Sequence, residues 1–240
     1  MAIIVKIPAL VTTLQRHTSD ICTVTMKPLK LFPFYKPGQF LHFALDAYDP
    51  SFPWPESRVF SIASSPTNRD EIVITFTTKG NYTKRMYDTL KINDTVWLKL
   101  PYGEFVFDIN IKSVFIAGGT GITPFISHLA YLIDKQIHHS PIELHYGVRE
   151  NNQTIYKNII EKAKLHLKDF DYMFYCENIS TNNDSDTIKG IININAIYQS
   201  NKNTDCNYYI SGPINMINNF KSYLFSNGIN EKYIKTDNWS

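Results

Sequence analysis

Cysteine is scarce in this chain. Among its 240 residues there are three, Cys22, Cys176 and Cys206, far apart and none with a second cysteine at metal-ligand spacing. An iron–sulfur centre normally takes four thiolates, so no such cluster is carried by the chain itself. An odd, scattered set also makes no disulfide framework, and it suits a reducing compartment; a cytoplasmic location is expected. An excess of one charge sign is lacking too. Lys and Arg total 24 against 22 Asp and Glu, a net charge of +2. No run of Lys and Arg stands out as a patch, which argues against nucleic acid as a partner. No apolar run approaches the roughly 18 residues of a membrane span. The apolar N-terminal stretch is broken by Lys6 and Pro8 and alternates at Ile3, Val5 and Ile7. That is a strand, not a signal peptide. Internal repeats and low-complexity linkers are missing, and no Ser-His-Asp or Cys-His grouping has local context for nucleophilic catalysis. The adjacent His138 and His139 have no third ligand in view, so no metal site is expected.

What is present changes character midway. The first hundred residues carry short runs of Val, Ile, Thr and Phe at 21–26, 40–45, 71–78 and 95–100, separated by turn-rich segments. Short strands at this spacing suggest a small antiparallel barrel. One helix is expected near Tyr82–Leu90, with Met86 and Leu90 on one face. After Asp108 strands alternate with helices: strands at 113–118, 142–146, 171–175, 207–210 and 233–236, helices at 124–134, 155–167 and 213–225. That order implies a parallel sheet covered on both faces. The expected domains are 1–108 and 109–240, joined without a long spacer. Residues 180–186 read as a polar surface loop, and Phe52-Pro53-Trp54-Pro55 as a stiff loop, a partner-docking surface or a lid.

Three segments carry chemistry. The apolar strand ending at Gly118 runs into Gly119-Thr120-Gly121-Ile122-Thr123-Pro124. Glycines permit a sharp strand-to-helix turn and let backbone N–H groups approach a pyrophosphate. Pro124 suits a first helical turn, and a helix N-terminus favours an anion. A tight turn with no ligand has the same composition. In Arg58-Val59-Phe60-Ser61, alternation puts Arg58 and Phe60 on one side and Val59 and Ser61 on the other. A guanidinium suits a diphosphate, and an aromatic ring can lie on a flat ring system. An edge-strand Arg beside a packed Phe would look alike. Gly80-Asn81-Tyr82-Thr83 is a second backbone anion site of the same physical type, or an ordinary capped helix.

Taken together and in this order, these segments resemble the ferredoxin–NADP reductase superfamily of flavin oxidoreductases, over nearly the whole chain. Arg58–Ser61 is similar to its Arg-x-Tyr-Ser flavin motif, with Phe60 in place of Tyr. Gly80–Thr83 is similar to its Gly-x-x-Ser/Thr pyrophosphate motif. Pro37-Gly38-Gln39-Phe40, Pro101-Tyr102-Gly103-Glu104-Phe105, Gly118–Pro124 and Tyr146-Gly147-Val148-Arg149 resemble four further segments. Ser211-Gly212-Pro213-Ile214-Asn215-Met216 resembles the motif beside the nicotinamide, with Ser211 where many members have Cys.

The resemblance implies a six-stranded antiparallel barrel followed by a Rossmann-like parallel α/β domain. It implies FAD and NADPH or NADH as cofactors. Flavin contacts are expected from Arg58, Val59, Phe60, Ser61, Gly80, Asn81, Tyr82 and Thr83. Nucleotide contacts are expected from Gly119, Thr120, Gly121, Thr123, Pro124, Gly147, Arg149, Ser211, Gly212, Pro213 and Met216. Ser61, Ser211, Asp237 and Trp239 are expected at the reacting centre, Trp239 as the aromatic cover of the flavin ring. Phe60 lacks one hydroxyl and Ser211 a soft sulfur; neither removes the chemistry, which belongs to the flavin. The implied reaction is hydride transfer from NAD(P)H to FAD, then electron delivery to a separate acceptor: a ferredoxin, an oxygenase component or a haem protein. The alternatives are a flavin or ferric reductase using free flavin as substrate, and a non-catalytic nucleotide sensor. A monomer is expected. Arg149 could read a 2′-phosphate or be a surface residue, so NADH and NADPH both stay open.

Overall fold

The structure is a computed structural model that describes residues 3–179 and 187–237. It divides into two compact units: residues 3–106 with 123–131, and residues 107–122 with the described residues from 132 onward.

The first unit holds β1 (Val5–Arg16), β2 (Ile21–Pro28), β3 (Phe40–Ala44), β4 (Arg58–Ser61), β5 (Ile72–Thr77), α1 (Asn81–Thr89) and β6 (Thr95–Tyr102). The strands form one six-stranded sheet in the order β4-β3-β6-β1-β2-β5, and every neighbouring pair is antiparallel. Its two edges meet where Ala63 N–H, just past β4, donates to Val73 O of β5 at 2.8 Å. The sheet is therefore a nearly closed barrel, as expected. Strand alternation fills its interior. Ile7, Ala9 and Val11 point inward with Val24, Met26, Leu41, Phe43, Ile74 and Leu98, and Tyr82 and Met86 of α1 join the same core. The β1–β2 register shifts between Val11 and Thr13; such an extra residue bends a strand, as curling a sheet requires.

The second sheet is parallel throughout. Its elements are β7 (Lys112–Gly118), α2 (Thr123–Lys135), β8 (Ile142–Glu150), α3 (Lys157–His166), β9 (Phe170–Asn178), β10 (Thr187–Lys189), α4 (Ile194–Asn201), β11 (Cys206–Ser211), α5 (Ile214–Ser226) and β12 (Ile234–Thr236). The strand order is β10-β9-β8-β7-β11-β12. The chain winds outward from β7 through β10, then returns to lay β11 on β7's other side. The order reverses between β7 and β11, and in open α/β sheets ligands bind at such a switch point. β11 is buried along its whole length, and β7 at every residue but Lys112, as a central strand covered on both faces must be.

Local differences from the expected elements have simple causes. α3 begins at Lys157 and not at 155 because Tyr156 sits at φ 61°, outside helical space. β8 and β9 run four and three residues past their expected ends, through Val148-Arg149-Glu150 and Cys176-Glu177-Asn178; ladder hydrogen bonds extend strands where the hydrophobic pattern has stopped. α4 and β10 were not expected. β10 has three residues, and α4 buries only Ile197 and Asn201. The expected loop at 180–186 lies outside the described residues.

Candidate functional site

At the switch point two turns close on each other. Gly119 takes φ +54°, which favours glycine, and Gly119–Ile122 form one 3-10 turn that leads into α2 at Thr123 with Pro124 in the first turn. On the other side β11 ends at Ser211, and Gly212 at φ +150° leads into α5. A Cβ on Gly121 would lie 2.4 Å from Ser211 O and 2.6 Å from Gly212 Cα. A Cβ on Gly118 would lie 2.8 Å from Pro213 Cδ and 2.9 Å from Met216 Sδ. The glycines thus let the Gly118–Pro124 turn and the Ser211–Met216 turn touch through their backbones. Both turns end at a helix N-terminus, whose first N–H groups have no acceptor within the helix. That is the chemistry of an anion cradle. Gly147 pairs with Gly118 across β8 and β7, and there a Cβ would meet Ile192 at 2.9 Å. Arg149, two residues on, is exposed.

β12 carries the chain past β11 to Asp237. Asp237 N–H donates to Ile210 O at 2.9 Å, and Ser211 Oγ donates to Asp237 Oδ2 at 3.0 Å. Both side chains are buried. Two residues expected separately at the reacting centre are therefore one hydrogen-bonded pair. Trp239 lies outside the described residues.

The other expected segments meet in the first unit. On β4, Arg58 pairs with Phe43 and Phe60 with Leu41. The Arg58 guanidinium lies 4.6 Å from the centre of the Tyr82 ring on α1, so the arginine strand and the second glycine segment form one surface. Tyr82 is a fixed platform: its hydroxyl accepts from Leu45 N–H at 2.9 Å and lies 3.1 Å from the carbonyls of Phe43 and Glu56. Burial pushes that phenol's pKa up, so it remains neutral. Arg58 also pairs with Glu56 at 2.8 Å while its side chain is 46% exposed. Thr83 Oγ1 accepts from Lys79 N–H at 2.9 Å and Gly80 N–H at 3.2 Å, which ties the turn to the first residues of α1. Gly80 has φ −157°, a conformation any residue adopts, and a Cβ there would meet nothing within 4 Å. The protein's own packing does not require that glycine; a ligand's close approach to the backbone would. One accessible guanidinium, backbone donors and an open glycine fit a flavin dinucleotide's pyrophosphate. Phe60 is half-buried, its ring edge-on to Phe43 at 6.2 Å and 6.0 Å from Phe76, and Ser61 is buried opposite Phe40.

Three features escaped the sequence reading: Glu56 as the counter-ion of Arg58, the Tyr82 ring beneath the guanidinium, and the Ser211–Asp237 bond. The first was legible as a carboxylate two residues away. The others need the tertiary fold. Among the described residues no group of three or more His, Cys, Asp or Glu is placed to hold a metal, and no helix is long and apolar enough to cross a membrane.

Comparison with known proteins gives the same picture. Residues 115–222 match the family model for the oxidoreductase NAD-binding domain. A flavohemoprotein of Rhizobium meliloti is 25% identical over 214 residues, 83% of this chain and 51% of its own length. The chain thus spans about half the length of the curated relatives it matches. A cytochrome P450 reductase of Amycolatopsis superposes with a TM-score of 0.83 at 16% identity, over all of this chain and 71% of that one. The flavohem-like FAD/NAD-binding domain of nitric oxide dioxygenase from Vibrio cholerae gives 0.75 at 17% identity, over 96% of this chain and 97% of that one. The chain is thus similar to the FAD- and NAD(P)-binding oxidoreductases of the ferredoxin–NADP+ reductase-like superfamily, with the NAD-binding family model matched over residues 115–222.

Proposed function

We propose that this chain is the reductase module of an electron-transfer system, taking electrons from NAD(P)H through FAD to a separate redox protein. The observation that carries this reading is the backbone contact of Gly121 with Ser211 and Gly212 at the switch point, which joins a pyrophosphate turn to the segment that would border the nicotinamide. FAD, when bound, supplies the ring that accepts a hydride and passes on electrons singly. The chain's residues bind and orient. Arg58 neutralises a diphosphate, and the N–H groups of Asn81, Tyr82 and Thr83 hold its oxygens. Val59 and Phe60 flank the flavin, and Ser61 offers a hydroxyl near its reacting edge. Gly119, Thr120, Gly121, Thr123 and Pro124 shape the nucleotide turn; Gly147 and Arg149 lie toward the adenosine half. Asp237 fixes the hydroxyl of Ser211 beside the nicotinamide, with Gly212, Pro213 and Met216 completing that wall. The acceptor is a haem protein, an oxygenase component or a ferredoxin; the flavohemoprotein and P450 reductase likenesses support the first. The test is NAD(P)H oxidation by the purified protein with FAD and ferricyanide. Turnover supports the reading. Nucleotide binding without oxidation would leave a sensor.

A second reading has its own observation. Glu56 already pairs with Arg58, and a diphosphate must displace it. That weakens the grip on FAD and favours flavin as a substrate. Gel filtration separates the two: FAD that elutes with the protein supports a held cofactor, while FAD that separates, with turnover kept on added flavin, supports a flavin reductase.

A further inference from the structure

The segment between β2 and β3 lies outside the residues assigned above to either nucleotide. Pro28 at the end of β2 and Pro33 and Pro37 within the segment limit its backbone freedom. Phe32 and Tyr35 are buried and stacked at 6.5 Å, and Tyr35 Oη donates to Ser64 O at 2.9 Å. Arg69 lies over both Phe32 and Phe34, at 3.9 and 4.5 Å, and donates to the carbonyls of Phe32 and Pro33. The segment is thus held firmly, yet it turns its largest apolar groups outward. Leu31 is 95% exposed, Phe34 75% and Leu29 50%. A loop tied down this well and still presenting three large apolar side chains within six residues is not a scatter of surface hydrophobics.

The charge around these groups has one sign along the chain. Residues 21–45 contain no Asp or Glu, and the cations there are Lys27, Lys30 and Lys36, all exposed. Spaced three and six residues apart, they do not read as a basic run in the sequence. Arg69 adds a fourth cation, with Asp70 and Glu71 following it in the chain, and the carboxylates that bound the 21–45 stretch are Asp20 and Asp46. Leu31 makes almost no contact with the protein, so it projects as a tip and lines no groove. A projecting apolar tip whose exposed charged neighbours along the loop are all lysines matches an anionic lipid surface, where apolar groups enter the acyl boundary and cations meet headgroups. We propose that residues 27–36 dock this module peripherally on an anionic membrane.

The test is co-sedimentation with vesicles of phosphatidylcholine alone and of phosphatidylcholine mixed with phosphatidylserine. Two variants accompany the native chain: Leu31→Ser with Phe34→Ser, and Lys27→Gln with Lys30→Gln and Lys36→Gln. All five side chains are exposed, so both variants should fold, with circular dichroism melting curves as the check. The native chain is expected to sediment with the mixed vesicles only, and less at high salt. At about a fivefold effect for each lysine near the surface, the triple variant should bind roughly a hundredfold more weakly. The serine variant should also lose binding. Failure of the native chain to bind mixed vesicles would overturn the proposal, as would binding by both variants equal to that of the native chain. So would variants that lose electron delivery to an acceptor protein in a vesicle-free assay, since the loop would then be a protein-docking surface.

Discussion

Arg58 divides its guanidinium among three neighbours: the Glu56 carboxylate, the Ser57 carbonyl and the Tyr82 ring. Each holds it at the mouth of α1, and none buries it. Replacing Arg58 by Ala should therefore change stability by less than about 1 kcal/mol, as exposed pairs generally do. FAD affinity should fall roughly 10- to 100-fold, the range of a charge-assisted hydrogen bond; fluorescence titration with FAD measures this. Unchanged affinity would remove Arg58 from the flavin site. Gly121→Ala belongs to the same scale. Its methyl group would lie 2.4 Å from Ser211 O, a backbone atom that cannot swing away. A loss of roughly 1–3 kcal/mol or more is expected on thermal melting, together with loss of nucleotide binding. At the Ser211–Asp237 bond, Asp237→Asn keeps an acceptor and should melt close to the native chain, whereas Asp237→Ala should lose about 1–3 kcal/mol. Equal melting of the two would show that the bond carries no stability.

At the scale of elements, the parallel sheet contains one strongly perturbed carboxylate. Glu143 on β8 lies 2.9 Å from His145 Nε2, 3.2 Å from Asn201 Nδ2 of α4 and 3.4 Å from Lys112 Nζ of β7. These partners, His145 foremost, hold its pKa down to about 2 against partial burial that opposes them. A folded-state pKa below the unfolded value means stability present above about pH 4.5 and lost as the pH falls toward 2. The contribution is at most about 3 kcal/mol, less whatever solvent screening removes. Glu143→Gln should flatten the acid limb of a stability-against-pH curve measured by urea melts between those values. An unchanged acid limb would show that Glu143 does not govern it. This network was not legible in the sequence. Glu143 and His145 share a face by alternation, but Lys112 and Asn201 reach them only through strand order and helix packing. Elsewhere the elements read well. Alternation in β1–β6 and the apolar strands β7 and β11 are strong periodic signals. Three-residue β10 and the thinly buried α4 carry no comparable signal. The turn motifs at Arg58, Gly80, Gly118 and Ser211 were legible as glycine and charge chemistry, while the contact that makes each pair a site was not. Gly121 against Ser211 depends on the reversal of strand order, and Arg58 over Tyr82 on α1 packing into the barrel core.

At the scale of the whole molecule, the chain divides into two compact units, one holding a nearly closed barrel and the other a parallel sheet, and it spans about half the length of the flavohemoproteins it resembles. On the proposed function, FAD is held in the barrel and takes electrons from a nicotinamide nucleotide. This is tested most directly by loading the purified chain with FAD, removing the excess, and adding NADH or NADPH without oxygen while following the flavin's visible absorption. The expected result is a yellow protein whose absorption is bleached by one of the two nucleotides and returns when ferricyanide is added. A protein that stays colourless after incubation with FAD, or a bound flavin that neither nucleotide bleaches, would contradict it.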